Sequence, residues 1–297
     1  MTDVPATMRA VRLHPPGGIE SLVFEEVSTP RPQTGEALVR VHAAAITRDE
    51  LEWPEDRLPA IPSYELSGVV ADVAPDAGGV AIGDPVYALT GFDRDGAAAE
   101  YVAVVADVLA PKPAALDDVE SAAVPLAALS AWQGLFDHGR LEQGQRVLIH
   151  GAAGGVGHFA TQLARSRGAH VIGTASAAGA ERARRFGADE VLDGADFEDG
   201  LDPVDLVFDT VGGDLLARSP AVLKDGGRLV SVAEEPPAGI YFVVESSREQ
   251  LAELTALIES GDVRPAVDSV FPLSDARTAF ERSMAAGKAG KVVLQVA

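Results

Sequence analysis

Short apolar runs bounded by turn residues dominate the first part of the chain. They are rich in Val and are separated by Gly, Pro and Asp, a pattern that predicts β-strands. The predicted strands cover residues 22–27, 37–44, 68–74, 85–89 and 99–105. Residues 8–11 read like a first strand, so residues 1–7 are expected to form a loose tail. This region is therefore predicted to be strand-rich, with few helices.

From about Asp118 the pattern alternates between strands and helices. Strands are predicted at residues 146–150, 170–174, 190–192, 206–210 and 228–232, and helices at 156–164, 181–186, 215–223 and 249–260. Alternation of this kind predicts a parallel sheet covered on both faces. Residues 267–271 and 291–296 return to the strand pattern. The predicted fold class is therefore α/β, with a strand-rich domain followed by a doubly wound Rossmann domain.

A glycine-rich turn, Gly151-Ala-Ala-Gly-Gly-Val-Gly157, joins the strand 146–150 to the next helix. This context is what a dinucleotide-binding turn requires. Gly154 would let the backbone approach a pyrophosphate, and Gly157 would let the helix pack on the strand, while free N–H groups face the phosphates. The strict pattern fails at Ala152, so a tight turn without a ligand is the alternative. The predicted phosphate-binding residues are Ala153, Gly154, Gly155, Val156 and Gly157.

The end of the second strand of this domain, Thr174-Ala175-Ser176, indicates which nicotinamide cofactor is bound. A site for NAD is expected to carry an acid here for the ribose hydroxyls, and none is present. Ser176 could donate to a 2′-phosphate, and an arginine such as Arg182 could pair with it. The nearby arginines are Arg165, Arg167, Arg182, Arg184 and Arg185. We predict NADPH, with a solvated helix face as the alternative interpretation of these arginines.

Composition and charge exclude several classes of function. The chain has 297 residues, a net charge of −21 and no cysteine. An acidic surface repels nucleic acid and anionic membranes, and the lack of cysteine excludes a disulfide, a thiolate metal site and a Cys nucleophile. There is neither a signal peptide nor an apolar run long enough to span a membrane. We therefore expect a cytoplasmic protein with a small-molecule substrate.

Several segments together resemble the zinc-independent quinone oxidoreductases, relatives of zeta-crystallin in the medium-chain dehydrogenase/reductase superfamily. Besides the glycine turn, they are Pro125-Leu-Ala-Ala-Leu-Ser-Ala-Trp-Gln-Gly-Leu135, Gly96-Ala-Ala-Ala-Glu-Tyr101, Phe208-Asp-Thr-Val-Gly-Gly213, Gly226-Gly-Arg-Leu-Val230 and Gly290-Lys-Val-Val-Leu294. The resemblance implies a split, GroES-like catalytic domain at residues 1–118 and 264–297. An NADP-binding Rossmann domain would cover residues 119–263.

The same resemblance argues against a catalytic zinc. Zinc alcohol dehydrogenases of the superfamily carry a Cys near Thr47 and a Gly-His-Glu where this chain has Ser63-Tyr64-Glu65. A zinc site needs three protein ligands in one place. The six histidines show no metal-ligand spacing, and we interpret His42 and His150 as structural. No metal is therefore expected.

The resemblance also implies which residues form the active site. Tyr64 is the favoured donor to the oxygen of the acceptor and Thr47 the second, although Tyr64 could instead pack under a loop and bond the backbone. Ser130 is implied to touch the nicotinamide or its ribose. Cofactor contacts are further implied for Thr174, Val211, Gly212, Ser231, Phe242, Val243 and Lys291.

These features predict hydride transfer from NADPH to a quinone or an α,β-unsaturated carbonyl. Such acceptors stabilise the incoming charge themselves, so positioning and one or two hydrogen bonds are enough. An enoyl-thioester reductase and a non-catalytic NADPH-binding protein are the alternatives. The segment 240–245 is expected to be an apolar edge strand, and an edge of this kind predicts a homodimer.

Overall fold

The strands and helices largely follow the hydrophobic pattern of the sequence. The computed structural model describes residues 4–297, apart from the side chain of Glu55. The strands are β1 (Thr7–Leu13), β2 (Leu22–Ser28), β3 (Glu36–Ile46), β4 (Glu65–Val73), β5 (Pro85–Leu89), β6 (Tyr101–Val105), β7 (Ala110–Pro111), β8 (Arg146–His150), β9 (His170–Thr174), β10 (Glu190–Leu192), β11 (Val204–Asp209), β12 (Leu223–Ser231), β13 (Ile240–Tyr241), β14 (Val267–Pro272) and β15 (Lys291–Gln295). The α-helices are α1 (Asp118–Ala122), α2 (Pro125–Trp132), α3 (Gly157–Ser166), α4 (Ala177–Arg185), α5 (Gly213–Arg218), α6 (Arg248–Glu259) and α7 (Ala276–Met284).

The first compact unit is strand-rich and comprises residues 4–126, 246–259 and 265–297. Strands β1 and β2 pair as an antiparallel hairpin. A second sheet has the order β14-β15-β3-β4-β5-β7, and β6 also pairs with β3. The C-terminal β15 runs antiparallel to β3, with Val293 opposite Ala45. This pairing brings the end of the chain next to the segment that follows β3.

The second unit comprises residues 127–245 and 260–264 and contains a six-stranded parallel sheet. Its order is β10-β9-β8-β11-β12-β13, the doubly wound arrangement of dinucleotide-binding folds. The inner strands are buried apolar runs, as expected for strands covered on both faces. In such a sheet ligands bind beyond the carboxyl ends of the strands where the order reverses, here between β8 and β11. The predicted fold class is confirmed.

The borders of the compact units differ from the predicted domain boundaries at residues 118 and 264. The strand-rich unit continues to residue 126 and includes α6. Hydrogen bonds account for both differences: Leu126 N donates to Glu65 Oε2 over 2.8 Å, and Tyr87 Oη donates to Leu251 O over 2.7 Å. Segment 119–126 and α6 therefore pack with the strands.

Some predicted elements have other limits. The expected strand 240–245 is wrong beyond its first two residues, since β13 ends at Tyr241. The helix expected at 215–223 is α5 followed by a 3₁₀ turn, Ser219–Val222. Of the expected tail, residues 1–3 lie outside the described residues, whereas Thr7 belongs to β1 and the Ala6 carbonyl accepts a hydrogen bond from Thr29 N. Within residues 4–297, no helix is long and apolar enough to cross a membrane.

Candidate active site

The glycine turn after β8 is closed by its own backbone. Gly151 has a φ of 74°, and its carbonyl accepts a hydrogen bond of 2.8 Å from Gly154 N. A Cβ on Gly157 would lie 2.1 Å from Gly151 O, so only glycine fits at the start of α3. A Cβ on Gly154 would lie 3.1 Å from the same oxygen, a close contact rather than a collision. The structure thus requires glycine at residue 157 for packing, as the sequence predicted.

Free donors are present where α3 begins. Within the described part of the chain, the N–H groups of Gly155 and Val156 have no hydrogen-bond acceptor, and the side chain of Val156, the N-cap, makes no capping bond. Unpaired N–H groups and the helix dipole together favour an anion. Ala153, the remaining predicted phosphate-binding residue, is buried in the same turn. This arrangement fits the pyrophosphate of a dinucleotide.

Thr174 supports the turn from the neighbouring strand. Its hydroxyl oxygen accepts a hydrogen bond of 3.2 Å from Gly151 N, and its carbonyl accepts one of 3.0 Å from Ala152 N. The residue is buried. Its side chain therefore holds the start of the turn.

The segment after β9 carries no acid that would repel a 2′-phosphate. Ser176 is the N-cap of α4, is exposed, and makes no capping bond with its side chain. The first turn of α4 contains no acidic residue. Ser176 is thus placed to donate to a ligand at this helix end.

The five nearby arginines do not form one cluster. Arg165 pairs with Asp189 at 3.4 Å, Arg185 pairs with Glu181, and Arg182 donates to Ala178 O over 3.2 Å. The Arg167 guanidinium lies 5.4 Å and 4.8 Å from the ring centroids of Trp132 and Phe136. Arg184 is exposed and has no partner among residues 4–297. Its guanidinium is therefore not held by a protein partner, and it lies in the last turn of α4.

Asp209, at the carboxyl end of β11, orders the loop that contains Val211 and Gly212. Its carboxyl accepts hydrogen bonds from Val211 N at 3.2 Å and Gly212 N at 3.0 Å, and Ser231 Oγ donates to it over 2.8 Å. Burial raises the pKa of Asp209. Gly212 has a φ of 78°, and the Val211 side chain is half exposed. Asp209 was not predicted from the sequence as a functional residue, although it is part of the segment Phe208–Gly213.

The other residues predicted to line the nicotinamide differ in their exposure to solvent. Phe242 is buried, with its ring centroid 4.4 Å from that of His138. Val243 is exposed, and Ser130 is buried in α2. Phe242 therefore has a protein neighbour, whereas Val243 presents its surface to solvent.

In the strand-rich unit, Tyr64 lies in an aromatic cluster. Its ring centroid is 5.5 Å from that of Trp53 and 5.4 Å from that of Phe92. Arg57 Nη2 donates to Tyr64 Oη over 3.0 Å and to Phe92 O over 2.8 Å. Burial raises the pKa of Tyr64 to about 12, despite the Arg57 charge, so the phenol keeps its proton at neutral pH. Arg57 was not predicted from the sequence as a functional residue.

Thr47 and Lys291 are brought together by the pairing of β15 with β3. Lys291 Nζ donates to Thr47 Oγ1 over 3.0 Å and forms a buried ion pair with Glu65. Thr47 Oγ1 in turn donates to Glu65 Oε1 over 3.5 Å, and the other Glu65 oxygen accepts from Leu126 N. The Thr47 hydroxyl is thus held between a cation and a carboxylate.

Glu50, which was not predicted from the sequence, holds the segments around Thr47 and Tyr64. Its carboxyl accepts hydrogen bonds from Thr47 N at 3.0 Å and from Ser63 N at 3.1 Å. The residue is buried, and desolvation raises its pKa to about 8. Its signal in the sequence was only an acid three residues after Thr47. Within residues 4–297, no three His, Asp or Glu side chains form a group that could hold a metal ion.

Comparison with known proteins matches both halves of the chain. Residues 33–114 match the alcohol dehydrogenase GroES-like domain, and residues 186–294 match the family described as zinc-binding dehydrogenase. A probable mitochondrial zinc-binding oxidoreductase of Arthroderma benhamiae is 33% identical, over 100% of this chain and 99% of that protein. The chloroplastic NADPH-dependent alkenal/one oxidoreductase of Arabidopsis thaliana is 34% identical, over 98% and 80%.

A solved structure has the same fold. The quinone oxidoreductase from Coxiella burnetii has a TM-score of 0.92 and 31% identity, and the match covers 98% of this chain and 100% of that one. Similarity therefore extends along the whole chain and includes both kinds of unit. The chain belongs to the medium-chain dehydrogenase/reductase superfamily, and it is an oxidoreductase of the kind that uses a nicotinamide cofactor.

Proposed function

We propose that the chain is an NADPH-dependent reductase that transfers a hydride to a quinone or an α,β-unsaturated carbonyl without zinc. The observation that carries the proposal is the glycine turn at the reversal of strand order, with the unpaired N–H groups of Gly155 and Val156. The acceptor class is supported by relatives whose names specify an alkenal/one and a quinone substrate. The bound cofactor would supply the hydride.

The preference for NADPH is supported by the segment after β9. The Ser176 hydroxyl at the N-terminus of α4 makes no capping bond, and residues 175–180 include no acid. The Arg184 side chain has no partner among the described residues. A carboxylate at residue 175 would repel a 2′-phosphate and bind ribose hydroxyls. We expect Ala175→Asp to reverse the preference from NADPH to NADH.

Tyr64 is the proposed proton donor to the oxygen of the acceptor. Because Arg57 donates to the phenol oxygen, the phenol hydrogen is directed elsewhere, and no residue among 4–297 accepts it. Thr47 is proposed to hold the geometry around this site, since its hydroxyl already bonds Lys291 and Glu65. Independence from zinc is supported by Thr47 itself, which lies where zinc dehydrogenases of the superfamily are expected to carry a ligand. Its hydroxyl is already bonded to Lys291 and Glu65. Val211, Gly212, Ser231, Phe242, Val243 and Ser130 are proposed to surround the nicotinamide.

The chain is further proposed to form a homodimer in the cytoplasm. β13 is an edge strand of the parallel sheet, and Ile240, Tyr241 and Val243 are exposed there. Unpaired strand edges with apolar side chains favour association. Light scattering after gel filtration tests the dimer, and a monomer at micromolar concentration would refute it.

Oxidation of NADPH, followed by absorbance with a panel of quinones and enones, tests the reaction, with NADH in parallel. We expect turnover with NADPH, little with NADH, and no loss after treatment with a chelator. Tyr64→Phe should lower turnover without weakening NADPH binding; unchanged turnover would exclude the proton-donor role. If no acceptor is turned over, a fluorescence titration with NADPH separates a non-catalytic binding protein from one that does not bind the cofactor.

A further inference from the structure

His150, the last residue of β8, is buried and uses both ring nitrogens. Nδ1 lies 3.2 Å from Thr174 Oγ1, and Nε2 lies 2.9 Å from Ser219 Oγ. The ring meets Phe197 edge-on, with 4.8 Å between centroids. The His150 side chain is fully buried.

The neighbouring bonds determine which nitrogen carries the hydrogen. Ser219 Oγ donates its only hydrogen to Leu215 O over 2.7 Å, so it must accept from His150 Nε2. Thr174 Oγ1 accepts from Gly151 N, which leaves its own hydrogen for His150 Nδ1. These bonds require a neutral imidazole that is protonated at Nε2, because only this form gives every donor in the chain of bonds an acceptor.

The charge state agrees with this geometry. Burial, and then the charge of Arg218, lower the pKa of His150 to about 4. The Arg218 guanidinium lies on the Phe197 ring, 4.8 Å from its centroid. A second proton on His150 would remove the acceptor for the Thr174 hydroxyl, and Thr174 Oγ1 would then face two donors, His150 Nδ1 and Gly151 N.

We propose that neutral His150 is a positioning residue for cofactor binding, which holds the glycine turn through Thr174 and Gly151 so that the N–H groups of Gly155 and Val156 meet the phosphates. This inference rests on the proposed binding of NADPH. Its physical basis is that Gly151 has a left-handed backbone and contributes the carbonyl that Gly154 N bonds. A change in the orientation of the Gly151 peptide therefore changes the direction of the donors that follow it.

The experiment measures the NADPH dissociation constant by fluorescence for three variants. His150→Leu removes both bonds and should raise the constant at least about tenfold, equivalent to about 1.4 kcal/mol. His150→Asn keeps an acceptor at the position of Nδ1 for the Thr174 hydroxyl, although its amide is too short to reach Ser219 Oγ, and it should stay within about threefold of the wild type. His170→Leu is the matched control, because this partly exposed histidine lies at the opposite end of the same sheet.

Nuclear magnetic resonance of the wild type supplies a second readout. We expect His150 to show a protonated Nε2, a bare Nδ1 and no titration between about pH 5 and about pH 9, unlike an ordinary histidine. Titration in this range, the opposite tautomer, or normal NADPH binding by a folded His150→Leu would overturn the inference alone. Failure of the wild type to bind NADPH would overturn the proposed function as well.

Discussion

Replacement of Gly157 by Ala tests the geometry of the cofactor turn most directly. The added Cβ would lie 2.1 Å from Gly151 O and 2.7 Å from Gly151 C, whereas real Cβ contacts are essentially never shorter than 3.0 Å. The turn and the first residues of α3 must therefore separate by roughly 1 Å, and overpacking of this kind costs about 1–3 kcal/mol. We expect the free energy of unfolding to fall by that amount.

The same displacement should weaken cofactor binding, because the unpaired donors of Gly155 and Val156 move with the turn. A loss of about 1.4 kcal/mol corresponds to a tenfold higher dissociation constant for NADPH, measured by fluorescence titration. Urea unfolding of the variant without cofactor measures the stability term separately.

Two matched glycine variants separate the effects on packing and on the ligand. Gly154→Ala places its Cβ 3.1 Å from Gly151 O, so stability should change little while NADPH binding weakens. Gly78→Ala, with nothing within 4 Å of the added Cβ, should change neither. Wild-type stability and NADPH affinity in Gly157→Ala would refute the argument from steric fit.

Three further substitutions test the roles of charged residues in the two units. Lys291→Met leaves the buried Glu65 carboxylate without its cation, so chemical denaturation should show that the free energy of unfolding falls by about 3–5 kcal/mol. Additional replacement of Glu65 by Gln should recover part of this loss. An unchanged free energy of unfolding in Lys291→Met would contradict a stabilising ion pair. Because burial raises the pKa of Glu50 from 4.5 to about 8, the native state keeps a proton that the unfolded chain releases. Stability should therefore fall as pH rises from about 4.5 to about 8, and Glu50→Gln should flatten this fall in urea titrations; equal slopes would argue against a protonated Glu50. Arg184→Gln should raise the dissociation constant of NADPH several-fold but leave that of NADH unchanged. Arg165→Gln is the control, because the Arg165 guanidinium already pairs with Asp189. Equal effects of Arg184→Gln on both cofactors would show that Arg184 does not bind the 2′-phosphate.

The local pattern of the sequence was sufficient to predict those elements in which adjacent residues all favour the same secondary structure. β8 and β9 have the predicted bounds because strands buried on both faces are continuous apolar runs between turn residues. The glycine turn was also readable, since its requirement for glycine at residue 157 arises from atoms only six residues away. By contrast, α7 was missed although Ala276, Ala279 and Phe280 have helical spacing and are buried.

Only the tertiary structure decided how the polar side chains are paired. Lys291 and Thr47 are 244 positions apart, and they meet because β15 pairs with β3. The raised pKa of Glu50 and the shared hydrogen bonds of His150 likewise depend on burial by segments distant in sequence. The sequence by itself therefore determined the order of elements and the place of the cofactor turn, because these follow from local periodicity and backbone sterics. The superfamily was indicated by the resemblance of several motifs to a known family. Protonation states and hydrogen-bond partners followed from the fold, because they depend on which distant groups exclude water.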